Sequence, residues 1–154
     1  MSGPALRLAR PADIPAIEKL LTAEWLPPFM IAAFLETFWV LEDEGGAVVG
    51  SAGLEVYSEA ALLRSVVVAP SLRGTRQGER LTRMALDEAE RRGVRRVYLF
   101  TLHAAPFFAR FGFQECTMDD FEPSARESSQ YRILLEHPEI ASVLKAMRAA
   151  IVNG

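Results

Sequence analysis

Cysteine is nearly absent from this chain, and the lone residue, Cys116, cannot close an internal disulfide. Histidine is almost as scarce. His103 and His137 stand apart from each other and from Cys116, so no cluster has structural-metal spacing and no metal is expected. No apolar run approaches the roughly 18 residues of a membrane span. The opening Met-Ser-Gly-Pro-Ala-Leu-Arg lacks the apolar stretch and small-residue cleavage site of a secretion signal. These absences lead to an expected cytoplasmic location with no membrane partner. A strong charge of either sign is also missing: the formal net charge is −3, and the arginines between Arg64 and Arg96 are interleaved with Glu79, Asp87, Glu88 and Glu90. A nucleic-acid surface needs a basic balance, so no nucleic-acid partner is expected, and a local anion site fits the arginines better.

What is present is apolar residue in quantity. Half of the 154 residues are hydrophobic, enough to fill a core, and no repeat, low-complexity tract or linker interrupts the chain. One domain over residues 1–154 is the expectation. Asp13 reads as an N-cap, and Ile14, Ile17, Leu20 and Leu21 recur at helical spacing until Trp25-Leu26-Pro27-Pro28 breaks the pattern. A second short helix over 29–36 precedes Thr37-Phe38-Trp39-Val40-Leu41, whose β-branched and aromatic content suits a strand. Gly45-Gly46 marks a hairpin turn into a strand over 47–57, in which Gly50 and Gly53 suggest a bulge or close backbone approach. Leu62 to Val68 is apolar enough for a strand covered on both faces, and Pro70 ends it.

Between Gln77 and Arg92, Leu81, Met84, Ala85 and Ala89 mark one face of a helix, charged residues cover the other, and Gly93 supplies the stop. Val97 to Phe100 follows as a strand, Ala104 to Arg110 as a short helix, and Phe113 to Cys116 as another strand. Ser124 to Leu135 suits a helix. In the tail, Ile140, Val143, Leu144, Met147 and Ile151 keep helical periodicity.

The segment richest in chemistry is the buried strand, the turn Arg73-Gly74-Thr75-Arg76-Gln77-Gly78, and the helix it opens. A helix N-terminus presents unpaired backbone N–H groups and partial positive charge, glycines permit close approach, and two arginines add charge at the same place. An anion cradle is the functional reading. The alternative is that Arg73 and Arg76 merely solvate the helix start, although positive charge there opposes the dipole.

This turn resembles that of the GCN5-related N-acetyltransferase family, whose signature R/Q-x-x-G-x-G/A grips the pyrophosphate of coenzyme A. Arg73 and Gly78 match its ends, but Arg76 stands where the fourth-position glycine belongs. A glycine-like conformation there costs a non-glycine residue roughly 1 kcal/mol or more. An arginine can also donate paired hydrogen bonds to phosphate, so both outcomes remain open. The run from Thr101 to Phe113, closing on Phe111-Gly112-Phe113, is similar to the family's late strand-helix-strand module. Where many members place a tyrosine that protonates the departing thiolate, this chain has Phe108, an apolar wall beside the thioester.

The resemblance covers roughly residues 5–115 at motif level. It implies an α/β fold with a central mixed, mostly antiparallel sheet flanked by helices on both faces, and a terminal strand in preference to a tail helix. It also implies acetyl-CoA as cosubstrate, bound by Val66, Val68, the turn Arg73 to Gly78 and Phe108, with a small-molecule amine as acceptor. Family members often dimerise. Three segments, Ala52 to Tyr57, Ala61 to Ser65 and Phe107 to Arg110, look like a subgroup associated with arsenic-resistance operons, which implies an amino-acid-like substrate carrying an anionic group.

Acetyl transfer needs a neutral amine, an oxyanion stabiliser and a fate for the thiolate. Glu55 is the candidate base, against the plainer reading of a solvated strand-end carboxylate. Arg64 interrupts a buried strand and needs an anionic partner, either Glu55 or a substrate carboxylate. Trp25 is a candidate for the substrate mouth, against an ordinary core role. Tyr57, Tyr98, His103 or water are the candidates for protonating the thiolate. Phe108 and Arg76 sustain a second function, a degenerate domain that binds acyl-CoA or a partner protein without turnover.

Overall fold

The computed structural model describes residues 3–151. Seven strands hydrogen-bond in the order β1-β2-β3-β4-β5-β7-β6: β1 is Ala5–Leu8, β2 Phe38–Glu42, β3 Val48–Tyr57, β4 Ala60–Val68, β5 Arg96–Thr101, β6 Gln114–Cys116 and β7 Lys145–Ala150. The helices are α1 Ile14–Ala23, α2 Gln77–Arg91, α3 Ala105–Ala109, α4 Ser129–Glu136 and α5 Pro138–Ala141. Antiparallel pairing joins β1 to β2, β2 to β3, β5 to β7 and β6 to β7, while β4 and β5 run parallel. This is the mixed, mostly antiparallel α/β fold expected. The tail forms a strand, as the resemblance implied and against its helical periodicity, and the N-terminal strand β1 was not anticipated.

The chain divides into two compact units, Met1–Leu54 with Arg64–Ala85, and Glu55–Leu63 with Leu86–Gly154. In the first, Ile17, Leu21, Ile31, Phe38, Val40 and Val67 form a buried cluster. Gly53 belongs to that packing: a Cβ there would lie 2.3 Å from the Phe38 ring, so only the bare backbone fits. Gly53→Ala therefore destabilises by about 1–3 kcal/mol through overpacking. A urea titration checks this, and an unchanged midpoint would mean that the ring moves aside freely.

Asp13 does not cap α1 as expected. Its backbone is already helical (φ −81°, ψ −17°), and its carboxylate instead accepts from the Arg10 N–H at 2.7 Å and from both Arg7 amino groups, closing the 3₁₀ turn Pro11–Asp13. The Arg7 hydrogen bonds hold the Asp13 carboxyl below its ordinary range. The helix expected over 29–36 is a 3₁₀ segment, Ala32–Thr37, and α4 begins only at Ser129 after a separate 3₁₀ turn, Ala125–Glu127.

In the second unit Ala60, Leu62, Tyr98, Phe121, Ala125, Tyr131 and Ala146 pack together. Phe121 is the pivot, with ring centroids 4.4 Å from Tyr98, 5.2 Å from Phe100 and 5.2 Å from Tyr131. Along α2, Leu81, Ala85 and Ala89 are buried one turn apart, the amphipathic stripe that its sequence dictates.

Candidate functional site

The turn after β4 lies wholly in the first unit. Ala69 N–H is tied to the Val49 carbonyl at 2.8 Å, a 3₁₀ turn spans Pro70–Leu72, and α2 opens at Gln77. Between them the backbone turns left-handed twice, at Gly74 (φ +80°) and at Arg76 (φ +66°). Residues Arg73 to Arg76 are exposed, and a side chain at Gly74 would meet nothing within 4 Å. The Thr75 hydroxyl is spent on the Leu72 carbonyl, which stiffens the loop. The first helical bond of α2 runs from Arg80 N–H to the Arg76 carbonyl at 3.1 Å, so the N–H groups of Gln77, Gly78 and Glu79 precede the helical ladder. Left-handed residues next to a helix start make a nest of backbone donors, and this geometry fits a pyrophosphate.

Arg76 thus occupies the conformation for which glycine is normally used, and its φ supplies the reason the departure matters. Glycine at 76 removes a left-handed cost of about 1–2 kcal/mol and adds about 0.5–1 kcal/mol of chain entropy. Arg76→Gly is expected to raise the melting temperature modestly and to tighten acetyl-CoA binding by letting phosphate approach the backbone. A lowered melting temperature with weaker binding would show instead that the guanidinium is the grip. Arg73 is paired with Glu24 just past α1; both are partly exposed, and such pairs contribute at most about 1 kcal/mol.

Upstream in the same unit, β4 carries a second irregularity. Ser65 is left-handed (φ +60°) and buried in mid-strand, where a non-glycine residue is strained. Its neighbours hold it: Ser51 Oγ donates to its carbonyl at 2.7 Å, and Arg64 Nε donates to its Oγ at 3.0 Å. Such a kink re-aims the strand on either side, between Arg64 and Val66. No residue type at 65 signalled this, since serine is not a usual left-handed residue.

Arg64 is 4% exposed, as its position in a buried strand implied. Its Nη2 donates to the Pro27 carbonyl at 3.3 Å, and its guanidinium carbon lies 5.8 Å from the Phe38 ring centroid, a cation–π contact. Arg64 thereby ties the 25–30 loop to β4. That loop is bracketed by two left-handed residues, Trp25 (φ +59°) and Met30 (φ +60°). Trp25 is 93% exposed, so the core reading for it fails, and Phe29 and Met30 are exposed beside it in sequence.

In the second unit, Glu55 is completely buried, contrary to the open strand-end carboxylate that was the plainer expectation. Its Oε1 accepts from the Ser129 N–H at 2.9 Å and from the Tyr57 hydroxyl at 2.8 Å, and its Oε2 accepts from Ser129 Oγ. The carboxylate therefore sits at the N-terminus of α4, where a negative charge is favoured. Burial first, then the bond to Glu55, raises the Tyr57 phenol well above its ordinary range, and Tyr57 remains half-buried. Ser129 was missed by sequence reasoning because it lies 74 residues from Glu55.

Phe108 is buried among aromatic rings, edge-on to Phe107 at 5.0 Å and to Phe113 at 5.9 Å, and offers no proton. Tyr98 is 1% exposed with its hydroxyl donated to Glu122 at 2.9 Å, and burial first, then that bond, raises its pKa. His103 is exposed in the loop between β5 and α3. Among the described residues no group of histidine, cysteine and acidic side chains is placed to hold a metal, and no helix is long and apolar enough to cross a membrane.

Comparison with known proteins agrees with this geometry. The model of the acetyltransferase (GNAT) domain matches residues 35–115. An amino-acid acetyltransferase of Mycobacterium tuberculosis (strain ATCC 25618 / H37Rv) is 33% identical over 121 residues, which is 73% of this chain and 69% of that protein. Among solved structures, N-acetylglutamate synthase from Neisseria gonorrhoeae, complexed with coenzyme A and N-acetyl-glutamate, matches with a TM-score of 0.80 at 18% identity, a likeness of fold. The match takes in 99% of this chain but only 36% of the synthase chain. Rv2747 from Mycobacterium tuberculosis, in complex with CoA and NLQ, matches with a TM-score of 0.79 at 25% identity over 97% of this chain and all of its own.

Proposed function

The chain belongs to the GCN5-related N-acetyltransferase family, and from that premise we propose that residues 1–154 form one domain that acetylates the α-amine of a small amino-acid-like acceptor with acetyl-CoA. The observation that carries the reading is the turn before α2, where Arg76 adopts the left-handed backbone that a pyrophosphate grip requires. The relatives' names support an amino acid as acceptor.

Arg73, Gly74, Thr75, Arg76, Gln77 and Gly78 hold the diphosphate in this reading, Val66 and Val68 supply strand backbone for the rest of the cosubstrate, and Phe108 is an apolar wall. Acetyl-CoA supplies a thioester, an acyl group already activated for attack by an amine. An α-amine of pKa ~8 costs only about 1 kcal/mol to deprotonate at pH 7, against about 4–5 kcal/mol for a lysine-like amine of ~10.4. An α-amino acid therefore needs modest help. Glu55 is the base, reached through Tyr57: the amine passes a proton to Tyr57 Oη as Tyr57 passes its own to Glu55 Oε1, leaving a neutral phenol and a carboxylic acid. The amine nitrogen then bonds to the acyl carbon as the C–S bond breaks, and the thiolate takes a proton from water. Arg64 and Trp25 bind the acceptor, Arg64 as the partner of its carboxylate. The reading includes a cytoplasmic enzyme that works on small molecules, with neither nucleic acid nor membrane as partner.

Phe108, which has no proton to give a thiolate, favours one rival, a degenerate domain that binds acyl-CoA without turnover. Calorimetric titration with acetyl-CoA tests what the two share. Saturable heat with a thermal shift is expected, and neither at millimolar cosubstrate would defeat both.

A further inference from the structure

The second unit contains a charged cleft that acetyl transfer does not use. Cross-strand register places Tyr98 opposite Arg148 and Arg148 opposite Gln114, so these three side chains share one face of β5, β7 and β6, and Arg96, two residues before Tyr98, lies on that face too. The adjoining row, Phe100, Ala146 and Cys116, is apolar and packs beneath the Phe121 cluster. Beyond Phe121 the cover ends. What remains is a cleft of about 550 Å³, a size ordinary for small-molecule sites, lined by Arg96, Tyr98, Gln114, Asp120, Glu122 and Arg148.

Its charges are arranged in opposition. Glu122 Oε1 accepts from the Tyr98 hydroxyl at 2.9 Å and lies 3.7 Å from Arg96 Nη1. Arg148 Nη1 donates to the Asp120 carbonyl at 3.2 Å, a bond that uses one of the five N–H donors of a guanidinium. The Asp120 carboxylate is turned away to the Thr117 N–H and hydroxyl, so its backbone carbonyl faces Arg148. The Glu122 carboxylate and the Arg96 and Arg148 guanidiniums line the same cleft, so charges of both signs face a ligand. A simple anion or cation finds an opposing charge as near as a favourable one and gains little. A molecule with a carboxylate at one end and an ammonium at the other matches both.

We propose that this cleft binds a free amino acid as a zwitterion, its carboxylate on Arg148 and Gln114 and its ammonium on Glu122. Tyr98, a candidate from sequence for protonating the thiolate, has its hydroxyl committed to Glu122, and no other lining residue is assigned to acetyl transfer. The site therefore stands independently of the proposed activity. Because it is open to water, binding is roughly millimolar.

The test is a titration of the whole chain followed by NMR at the side-chain Nε–H signals of Arg96 and Arg148. Probes are L-alanine and L-glutamine, with acetate, methylammonium and N-acetyl-L-alanine as half-matched controls. The expected result is a saturable shift of the Arg148 signal with a free amino acid and none with the controls. Arg148→Met, and separately Gln114→Leu on the exposed edge strand, should each weaken the remaining Arg96 response by about ten-fold, the scale of a charge-assisted hydrogen bond. Responses from acetate equal to those from the amino acids, no saturable shift with either amino acid, or shifts that survive both variants would overturn the proposal. Thiol release from acetyl-CoA in the same samples separates the two readings: release without titration defeats the cleft alone, and titration without release defeats only the acetyltransferase reading.

Discussion

Glu55→Gln is expected to lower kcat by about 10²-fold or more, the usual contribution of a general base, while the protein remains folded. The amide keeps one acceptor oxygen for the Ser129 N–H but cannot receive a proton from Tyr57. Glu55→Ala goes further, leaving the Ser129 N–H, the Ser129 hydroxyl and the Tyr57 hydroxyl without their acceptor, and should cost about 3 kcal/mol or more of stability. Tyr57→Phe separates catalysis from folding, because it interrupts the relay and spares the bonds between Glu55 and Ser129. In that variant kcat should fall with little change in melting temperature. If Glu55→Gln loses stability but keeps kcat within about three-fold, well short of a general base's effect, Glu55 is only the anchor of α4.

Arg64→Met produces the second large effect. A charge-assisted contact to a carboxylate is worth about 1.5–3 kcal/mol, so KM for an amino-acid acceptor should rise by roughly ten- to a hundred-fold while KM for acetyl-CoA stays near its original value. Stability also falls, by about 1–3 kcal/mol, because the Pro27 carbonyl and the Ser65 hydroxyl lose their donor and the 25–30 loop loses its tie to β4. The two losses are read separately, by steady-state kinetics and by urea denaturation. An unchanged acceptor KM beside lowered stability would make Arg64 a structural residue and remove the reason for placing a carboxylate in the acceptor.

Both residues show where sequence reasoning reached its limit. Arg64 was conspicuous because it interrupts Leu62-Leu63 and Val66-Val67-Val68, and its burial follows from that interruption. Glu55 carried no such flag. Glutamate is ordinarily exposed, and what holds it inside is the start of a helix 74 residues later, a contact that no local pattern announces. The turn and α2 were legible because a left-handed turn into an amphipathic helix needs residue types that stand out: Gly74, and an apolar face at Leu81, Ala85 and Ala89. The Ser65 kink was not, since its strain is supported by Ser51 and Arg64 and not by a glycine.

Strand β1 escaped notice for a related reason. Four residues with Arg7 among them show too little alternation, and Arg7 is accommodated by Asp13 and by Glu42 on the neighbouring strand. In the tail, the strand that the resemblance implied forms in place of the helix that the periodicity suggested. Ala146, Met147 and Ala149 are the residues that β7 buries, whereas Ile140 and Val143, which completed the helical pattern, are exposed. The charged cleft depends on register alone, since Tyr98, Arg148 and Gln114 meet only when β7 inserts between β5 and β6.

The central claim is acetyl transfer from acetyl-CoA to an α-amine, and release of free thiol measures it directly. With saturating acetyl-CoA and a panel of the standard L-amino acids, at least one is expected to support release well above hydrolysis. N-acetylated forms of the same amino acids should support none. Thiol release no faster than hydrolysis across the whole panel, in protein shown to bind acetyl-CoA, would contradict the claim and leave a domain that binds its cosubstrate without using it.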